Sequence, residues 1–198
     1  MSEKHRWSIV LCSLFLSAMA MRSPASAQQR GNGGESEIQR GLQIAPVPLN
    51  LAGKNRSLVG LGSYLVNGPM DCLGCHSANL YLPGGDPFLG EPTMINTATY
   101  LAGGVSFGPF VSRNLTPDGQ GRPAGLTLSQ FKEVLRTGVD LKGIEQPPVP
   151  EPTPILQVMP WPAYRHSTER FLEAIYEYLR AIPCIEGGPG SPPNRCLP

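Results

Sequence analysis

Apolar residues recur at helical spacing in three segments of this 198-residue chain. The pattern predicts short helices over residues 57–66 and 128–137, and a longer one that Ser167 caps and Pro183 ends. The apolar face of the last helix is formed by Phe171, Leu172, Ile175, Tyr178, Leu179 and Ile182. No segment alternates convincingly in the manner of a strand. The expected fold class is therefore all-α, with three or more short helices joined by long loops.

The N-terminus has the pattern of a secretory signal peptide. Lys4 and Arg6 precede an apolar run of 14 residues, 8–21, and an Ala-Ser-Ala cleavage site ends at Ala27. The run is shorter than the 18 or so residues that a membrane-spanning helix needs. We therefore expect residues 1–27 to be removed and the mature protein to be periplasmic or otherwise exported, without a stable membrane span. The alternative is an uncleaved N-terminal membrane anchor.

Glycine and proline are unusually frequent between the predicted helices. The chain has 23 Gly and 22 Pro residues, about twice the usual share. Residues 28–40 are polar and Gly-rich, so residues 28–56 are expected to form a flexible leader. From Ser77 to Gly125 no periodicity persists, and 146–154 is a Pro-rich insert. A structureless stretch of that length either stays loose or wraps something.

The charge balance excludes one class of partner. Residues 1–27 contain Lys4, Arg6 and Arg22 against Glu3, so 13 basic and 14 acidic residues remain after cleavage. A near-neutral chain lacks the basic surface that nucleic acids require. Nucleic acid is therefore not an expected partner.

The chemistry-bearing motif is Cys72-Leu73-Gly74-Cys75-His76. Its C-x-x-C-H spacing is the attachment signature of a c-type haem. Two thiols about one turn apart add to the two vinyl groups of the porphyrin, and the next residue places an imidazole on the iron. Gly74 is expected to leave room for the macrocycle. One motif predicts one covalent haem c, with His76 as proximal ligand.

Two other uses of this motif are disfavoured. A thioredoxin-like redox pair requires a βαβ context, and none is predicted. A structural zinc site requires four ligands, and the chain has no second C-x-x-C or H-x-x-x-H pair.

The sixth iron ligand has to come from elsewhere in the mature chain. Its candidates are Met70, Met94, Met159 and His166. Met70 is tethered beside the attachment motif and is poorly placed to reach the opposite face of the haem. Prolines around Met159 preset an extended backbone that suits presenting a thioether to a metal. The sequence favours Met159 and leaves Met94, His166 and an open position as alternatives.

Two further cysteines, Cys184 and Cys196, lie in a tail rich in Gly and Pro. Neither is followed by histidine, so a second attached haem is excluded. In an oxidising compartment the even count favours a disulfide between them. The alternative is a disordered tail whose thiols pair less specifically.

The chain resembles class I c-type cytochromes, in particular the single-haem domains of bacterial periplasmic and dehydrogenase-associated cytochromes. The resemblance covers about residues 57–183 and leaves 184–198 as a tail. It rests on the haem motif and on the segments 62–68 (GSYLVNG), 100–104 (YLAGG), 114–118 (NLTPD), 159–164 (MPWPAY) and 174–179 (AIYEYL). The chain departs from the family at Leu126, where a tryptophan is usual, and in its long Pro-rich insert.

The resemblance implies a cytochrome c-like fold with Met159 as axial ligand. It also implies that the first and last helices cross with Gly62 near Tyr176 and Tyr178. The expected function is electron transfer between redox partner proteins, with a dehydrogenase as donor and an oxidase or another cytochrome as acceptor, and no catalytic residue. The alternatives are a haem peroxidase or gas sensor with an open or labile sixth position, and an interaction module built on the Pro-rich insert.

Overall fold

The computed structural model describes residues 36–141, 155–187 and 192–198. The signal segment 1–27, the first part of the leader and the Pro-rich insert lie outside the described residues. Helix α1 covers residues 36–44. The other helices are α2 (Arg56–Asn67), α3 (Cys72–His76), α4 (Leu128–Thr137), α5 (Trp161–Tyr164) and α6 (Glu169–Ala181), with a 3-10 turn at Pro87–Leu89.

The three predicted helices are confirmed, with small shifts at α6. In α4, Thr127 and Gln130 form a capping box, and Gly138 ends the helix in a left-handed conformation. The N-cap of α6 is Thr168 instead of Ser167, because the Thr168 side chain accepts the hydrogen bond from the Phe171 backbone N–H.

The buried face of α6 is confirmed except at one position. Phe171 was expected in the core, but its side chain is exposed. It lies in the first turn of the helix, where none of the described residues buries it. Leu172, Ile175, Tyr178 and Leu179 are all at most 2 % exposed, so they form the centre of the core.

Helices α2 and α6 cross at Gly62. A Cβ atom built on Gly62 would overlap the carbonyl oxygen of Ala174 and press on the Tyr178 side chain. The expected approach of Gly62 to Tyr178 is therefore confirmed, and it requires the absence of a side chain. Beside this crossing, the buried hydroxyl groups of Tyr100 and Tyr178 lie 2.7 Å apart, and Tyr100 donates to Asn67.

The prediction of a flexible leader over 28–56 is wrong from residue 36 onward. Ile38 is 7 % exposed and packs in the core, and Gly41 of α1 lies directly against Gly60 of α2. The buried Ser63 hydroxyl donates a 2.6 Å hydrogen bond to the Gly41 carbonyl. Close helix contact through two glycines is what orders this polar segment.

The all-α expectation missed a small sheet. Strands β1 (Ser106–Phe107) and β2 (Phe110–Val111) pair antiparallel in a hairpin. Gly108 has a φ of 64° in the turn between them, which suits glycine. The rest of 77–125 consists of loops fastened by isolated bridges, such as Ser77 with Gly103 and Tyr81 with Ile95.

Candidate functional site

A cavity of about 220 Å³ lies between α3, the hairpin, α4, the 155–160 segment and α6. Most of its wall is apolar. The residues that line it include Met70, Cys72, Cys75, His76, Phe107, Phe110, Arg113, Asp140, Met159 and Tyr164. All four residues of the predicted haem site, Cys72, Cys75, His76 and Met159, are thus brought to one cavity.

Helix α3 carries the attachment motif and is set by the residue before it. Asp71 has a left-handed backbone with φ 43°, and its carboxylate accepts a 3.3 Å hydrogen bond from the Gly74 N–H. A Cβ atom on Gly74 would lie 2.6 Å from that carboxylate. From the sequence, Gly74 was expected to leave room for the macrocycle. In the structure the space beside Gly74 is taken by Asp71, so the glycine permits the cap that starts the helix.

The two thiols of the motif are free, unlike the other cysteine pair of the described chain. Burial, followed by the negative charge of Asp71, raises the pKa of Cys72 to about 12. The same two causes, in the same order, raise the pKa of Cys75. Both side chains are therefore protonated at neutral pH, and both face the cavity.

The imidazole ring of His76 makes a hydrogen bond with a backbone carbonyl. Its Nδ1 lies 2.8 Å from the carbonyl oxygen of Arg113. Because a carbonyl oxygen only accepts hydrogen bonds, Nδ1 carries the proton and Nε2 keeps its lone pair. Burial lowers the pKa of His76, which favours the neutral ring. A neutral imidazole oriented in this way leaves the Nε2 lone pair free to donate to a metal ion.

The Arg113 carbonyl was not identified from the sequence. It is a main-chain atom, and its role carries no signature in residue type. The Arg113 side chain is also fixed, since its guanidinium forms a two-pronged ion pair with Asp140, at 2.5 and 2.6 Å. Asp140 lies just after α4, so this pair ties the His76 acceptor to another wall of the cavity.

The candidates for a sixth ligand separate by position. Met159 and Met70 both line the cavity, whereas Met94 and His166 are not part of its lining. Met94 is 40 % exposed, and His166 is exposed. Met70 was disfavoured as a ligand because it is tethered beside the motif. Its side chain nevertheless reaches the cavity wall.

The Met159 segment is held on both sides. The Trp161 Nε1 donates to the Leu156 carbonyl at 3.2 Å, and the Trp161 ring lies against Gly138. At the far end of α5, the Tyr164 hydroxyl donates a 2.8 Å hydrogen bond to the Met70 carbonyl. Met159 is therefore presented by a short segment anchored to both α4 and the start of the attachment motif.

The predicted bond between Cys184 and Cys196 is confirmed. The two residues form a disulfide, with their Cα atoms 5.7 Å apart. The described parts of the tail, 184–187 and 192–198, are in contact with the domain, and Arg195 is only 6 % exposed. The alternative of a disordered tail is therefore wrong for these residues.

Among the described residues, no group of three or more His, Cys, Asp or Glu side chains is arranged to hold a metal ion. Across the same ranges, no helix has the length and apolar character to cross a membrane.

Comparison of the chain with family models, with curated proteins and with solved structures found no match. The function is therefore argued from the site alone.

Proposed function

We propose that this chain is an exported mono-haem c-type cytochrome that carries single electrons between redox partner proteins. The observation that carries the proposal is the meeting of Cys72, Cys75, His76 and Met159 at one apolar cavity. Cys72, Cys75 and His76 lie on α3, whereas Met159 precedes α5 and is more than 80 positions away from the motif. Their convergence is what a covalently attached haem with two axial ligands requires.

The chemistry of the donor set fits a haem c. Cys72 and Cys75 are free thiols within one helical turn and face the cavity, as thioether attachment needs. The apolar wall suits the macrocycle, and it keeps water from the ligands. When bound, haem supplies an iron that shuttles between two oxidation states one electron apart.

The residues of the chain set the properties of that iron. His76 would be held as proximal ligand through the Arg113 carbonyl, which fixes the ring orientation and makes Nε2 a stronger donor. Met159 would bind as a soft thioether, which favours the reduced state and raises the reduction potential. Hydrophobic walls built by Phe107 and Phe110 act in the same direction by excluding water.

Met159 is preferred over Met70 as the sixth ligand. The backbone of Met70 is fixed two residues before Cys72, on the same side as the attachment motif. Met159 enters the cavity from a different segment, and that segment is anchored independently through Trp161 and Tyr164. If haem is bound, His76 and Met159 would therefore hold its iron from two different segments of the chain.

With both axial positions filled, the protein would pass electrons instead of binding a small substrate. The partners we propose are a dehydrogenase as electron donor and an oxidase or another cytochrome as acceptor, in the periplasm or an equivalent exported compartment. No residue of the cavity is assigned a catalytic role.

The test is the spectrum and ligand-binding behaviour of the purified mature protein. Methionine on the iron predicts a weak absorption band at the red end of the visible spectrum of the oxidised protein, and slow cyanide binding. Absence of that band together with rapid cyanide or CO binding would instead indicate an open sixth position, as in a peroxidase or gas sensor. Absence of any covalent haem on a denaturing gel would overturn the whole proposal.

A further inference from the structure

The C-terminal tail is closed and stiffened by more than its disulfide. Besides the bond between Cys184 and Cys196, the Glu186 carboxylate accepts hydrogen bonds from the backbone N–H groups of Arg195, at 3.1 Å, and Cys196, at 2.8 Å. The two arms of the tail, 184–187 and 192–198, are therefore joined both covalently and by polar contacts.

The closed tail is hydrogen-bonded to the loop 113–119, which is the segment that follows β2. The Asn114 side-chain amide donates to the carbonyls of Ile185 and Gly187, at 3.0 Å each. The Ile185 N–H donates to the Thr116 hydroxyl at 3.2 Å. Asn114 and Thr116 are 3 % and 0 % exposed, so these contacts are shielded from water.

The second arm holds the same loop from the other direction. The Arg195 guanidinium donates to the Thr116 carbonyl, and the Gly119 N–H donates to the Arg195 carbonyl at 2.8 Å. Gly119 lies against the Leu197 backbone so closely that a Cβ atom there would collide with it. Inside the loop, Asn114 also accepts hydrogen bonds from the Thr116 N–H and hydroxyl, at 2.9 and 2.6 Å.

The loop 113–119 begins at Arg113, whose carbonyl orients the His76 ring. The Arg113 carbonyl, which accepts the His76 Nδ1–H bond, belongs to the peptide unit that joins Arg113 to Asn114. Any displacement of Asn114 therefore moves the acceptor of the histidine proton. Asn114, which the tail contacts, is therefore adjacent to the residue whose carbonyl accepts the His76 hydrogen bond.

We propose that the disulfide-closed tail is a positioning element for His76, acting through Asn114 and Thr116 on the Arg113 carbonyl. The inference rests on the proposed function, because it assigns the tail a role in tuning an axial ligand. Loss of the hydrogen bonds between the tail and the loop 113–119 weakens the Nδ1 hydrogen bond of His76 and makes its Nε2 a poorer donor. In the haem-bound protein a poorer donor stabilises the oxidised iron less, so the reduction potential rises.

The experiment measures solvent exchange of the His76 Nδ1 proton by NMR in the full mature chain, in its reduced haem-bound form. The backbone amide of Val59 in the α2 core is the internal reference for global unfolding. In the double variant Cys184→Ala/Cys196→Ala we expect His76 exchange to accelerate by about tenfold or more relative to Val59. The reduction potential of the same variant is expected to rise.

A second pair of variants keeps the test decisive if the cysteine variant folds poorly. Thr116→Val removes the hydroxyl that meets Ile185 and Asn114 but keeps the shape, whereas Thr116→Ser retains the hydroxyl. We expect faster His76 exchange in the valine variant and recovery in the serine variant. Unchanged exchange in Thr116→Val, or an equal acceleration at His76 and Val59, would overturn the inference.

The failure of this inference is separable from failure of the proposed function. If haem staining finds no covalent haem, the proposed function is lost, but the Nδ1 proton is still observable in the protein as purified. A response of that proton to the tail variants then supports the mechanical link alone. If haem is bound and the proton does not respond, the tail has no positioning role.

Discussion

The hydroxyl group of Tyr164 donates a 2.8 Å hydrogen bond to the backbone carbonyl of Met70. This contact ties the helix that follows Met159 to the residue two positions before the first cysteine of the attachment motif. It joins the two segments that supply opposite parts of the candidate site, although they are separated by 94 positions in the chain. Burial, followed by the negative charges that the thiols of Cys72 and Cys75 would carry when ionised, raises the pKa of Tyr164 to about 12, so its hydroxyl remains a donor at physiological pH.

Removal of this hydroxyl tests how much the contact contributes. We expect Tyr164→Phe to lower the free energy of unfolding by about 1 kcal/mol, because the Met70 carbonyl loses its partner in a partly buried setting. Urea denaturation measures the change. Tyr64→Phe is the matched control, since among the described residues the Tyr64 hydroxyl forms no hydrogen bond. Equal losses in both variants would show that the contact with Met70 contributes nothing particular.

The ligand assignment predicts different outcomes for three methionines. Met159→Ala should retain covalent haem, lower the reduction potential and raise cyanide affinity by roughly tenfold or more, because the competing thioether is gone. Met94→Ala, in an exposed loop outside the cavity, is the control and should behave as the unaltered protein. Spectroscopic titration with cyanide measures the affinity. If Met70→Ala gives the large change and Met159→Ala does not, the sixth ligand has been assigned to the wrong residue.

The crossing of α2 and α6 predicts a large cost for one added methyl group. Gly62→Ala would place Cβ on the Ala174 carbonyl and the Tyr178 side chain, so the helices must move apart. We expect a loss of about 1–3 kcal/mol in the free energy of unfolding, measured by urea denaturation. Ser57→Ala at an exposed position of the same helix is the control and should change stability by less than about 0.5 kcal/mol. A Gly62→Ala protein as stable as the control would contradict the close crossing.

The loop 113–119, which the tail contacts, contains Asp118, whose ionisation contributes to stability. Burial by itself would raise the pKa of this carboxyl, but hydrogen bonds from Arg122 and from the Gln120 N–H outweigh burial and hold the pKa below its ordinary value. The stability from ionised Asp118 is therefore complete above the unfolded-state pKa of about 4. It is lost as the pH falls through the lower pKa of the folded state.

Asp118→Asn should accordingly be less stable than the native protein at about pH 6, and the difference should shrink towards about pH 3. Urea midpoints measured across that range give the comparison. Glu177→Gln, which removes the negative partner of a partly exposed pair with Arg180 on α6, is the control for loss of a carboxylate elsewhere in the domain. A stability difference for Asp118→Asn that is independent of pH would rule out the ionised carboxylate as its source.

The helices were predictable because each has its own local signals. In α4 the N-cap, the capping box and the terminal glycine are adjacent in sequence to the apolar stripe that they bound. Helix α1 was missed because its stability depends on contact with a distant segment, through Gly41 and Gly60. A glycine that permits close packing and a glycine in a flexible leader are indistinguishable in one sequence.

The candidate site divides in the same way. The cysteines and His76 are given by a contiguous motif, and proline spacing favoured Met159. Three features were beyond a single sequence: the Arg113 carbonyl, the hairpin that places Phe107 and Phe110 on the cavity wall, and the access of Met70 to the cavity. Each depends on the position that a loop without periodicity takes in the folded chain.

The proposed function depends above all on covalent attachment of a haem to Cys72 and Cys75. It is tested by the mass of the mature protein, produced in a host that attaches haem to exported proteins, followed by mapping of the peptide that contains residues 72–76. We expect a mass increase of one haem, located on that peptide and lost in the double variant Cys72→Ala/Cys75→Ala. A chain with both thiols unmodified, or joined to each other in a disulfide, would contradict it.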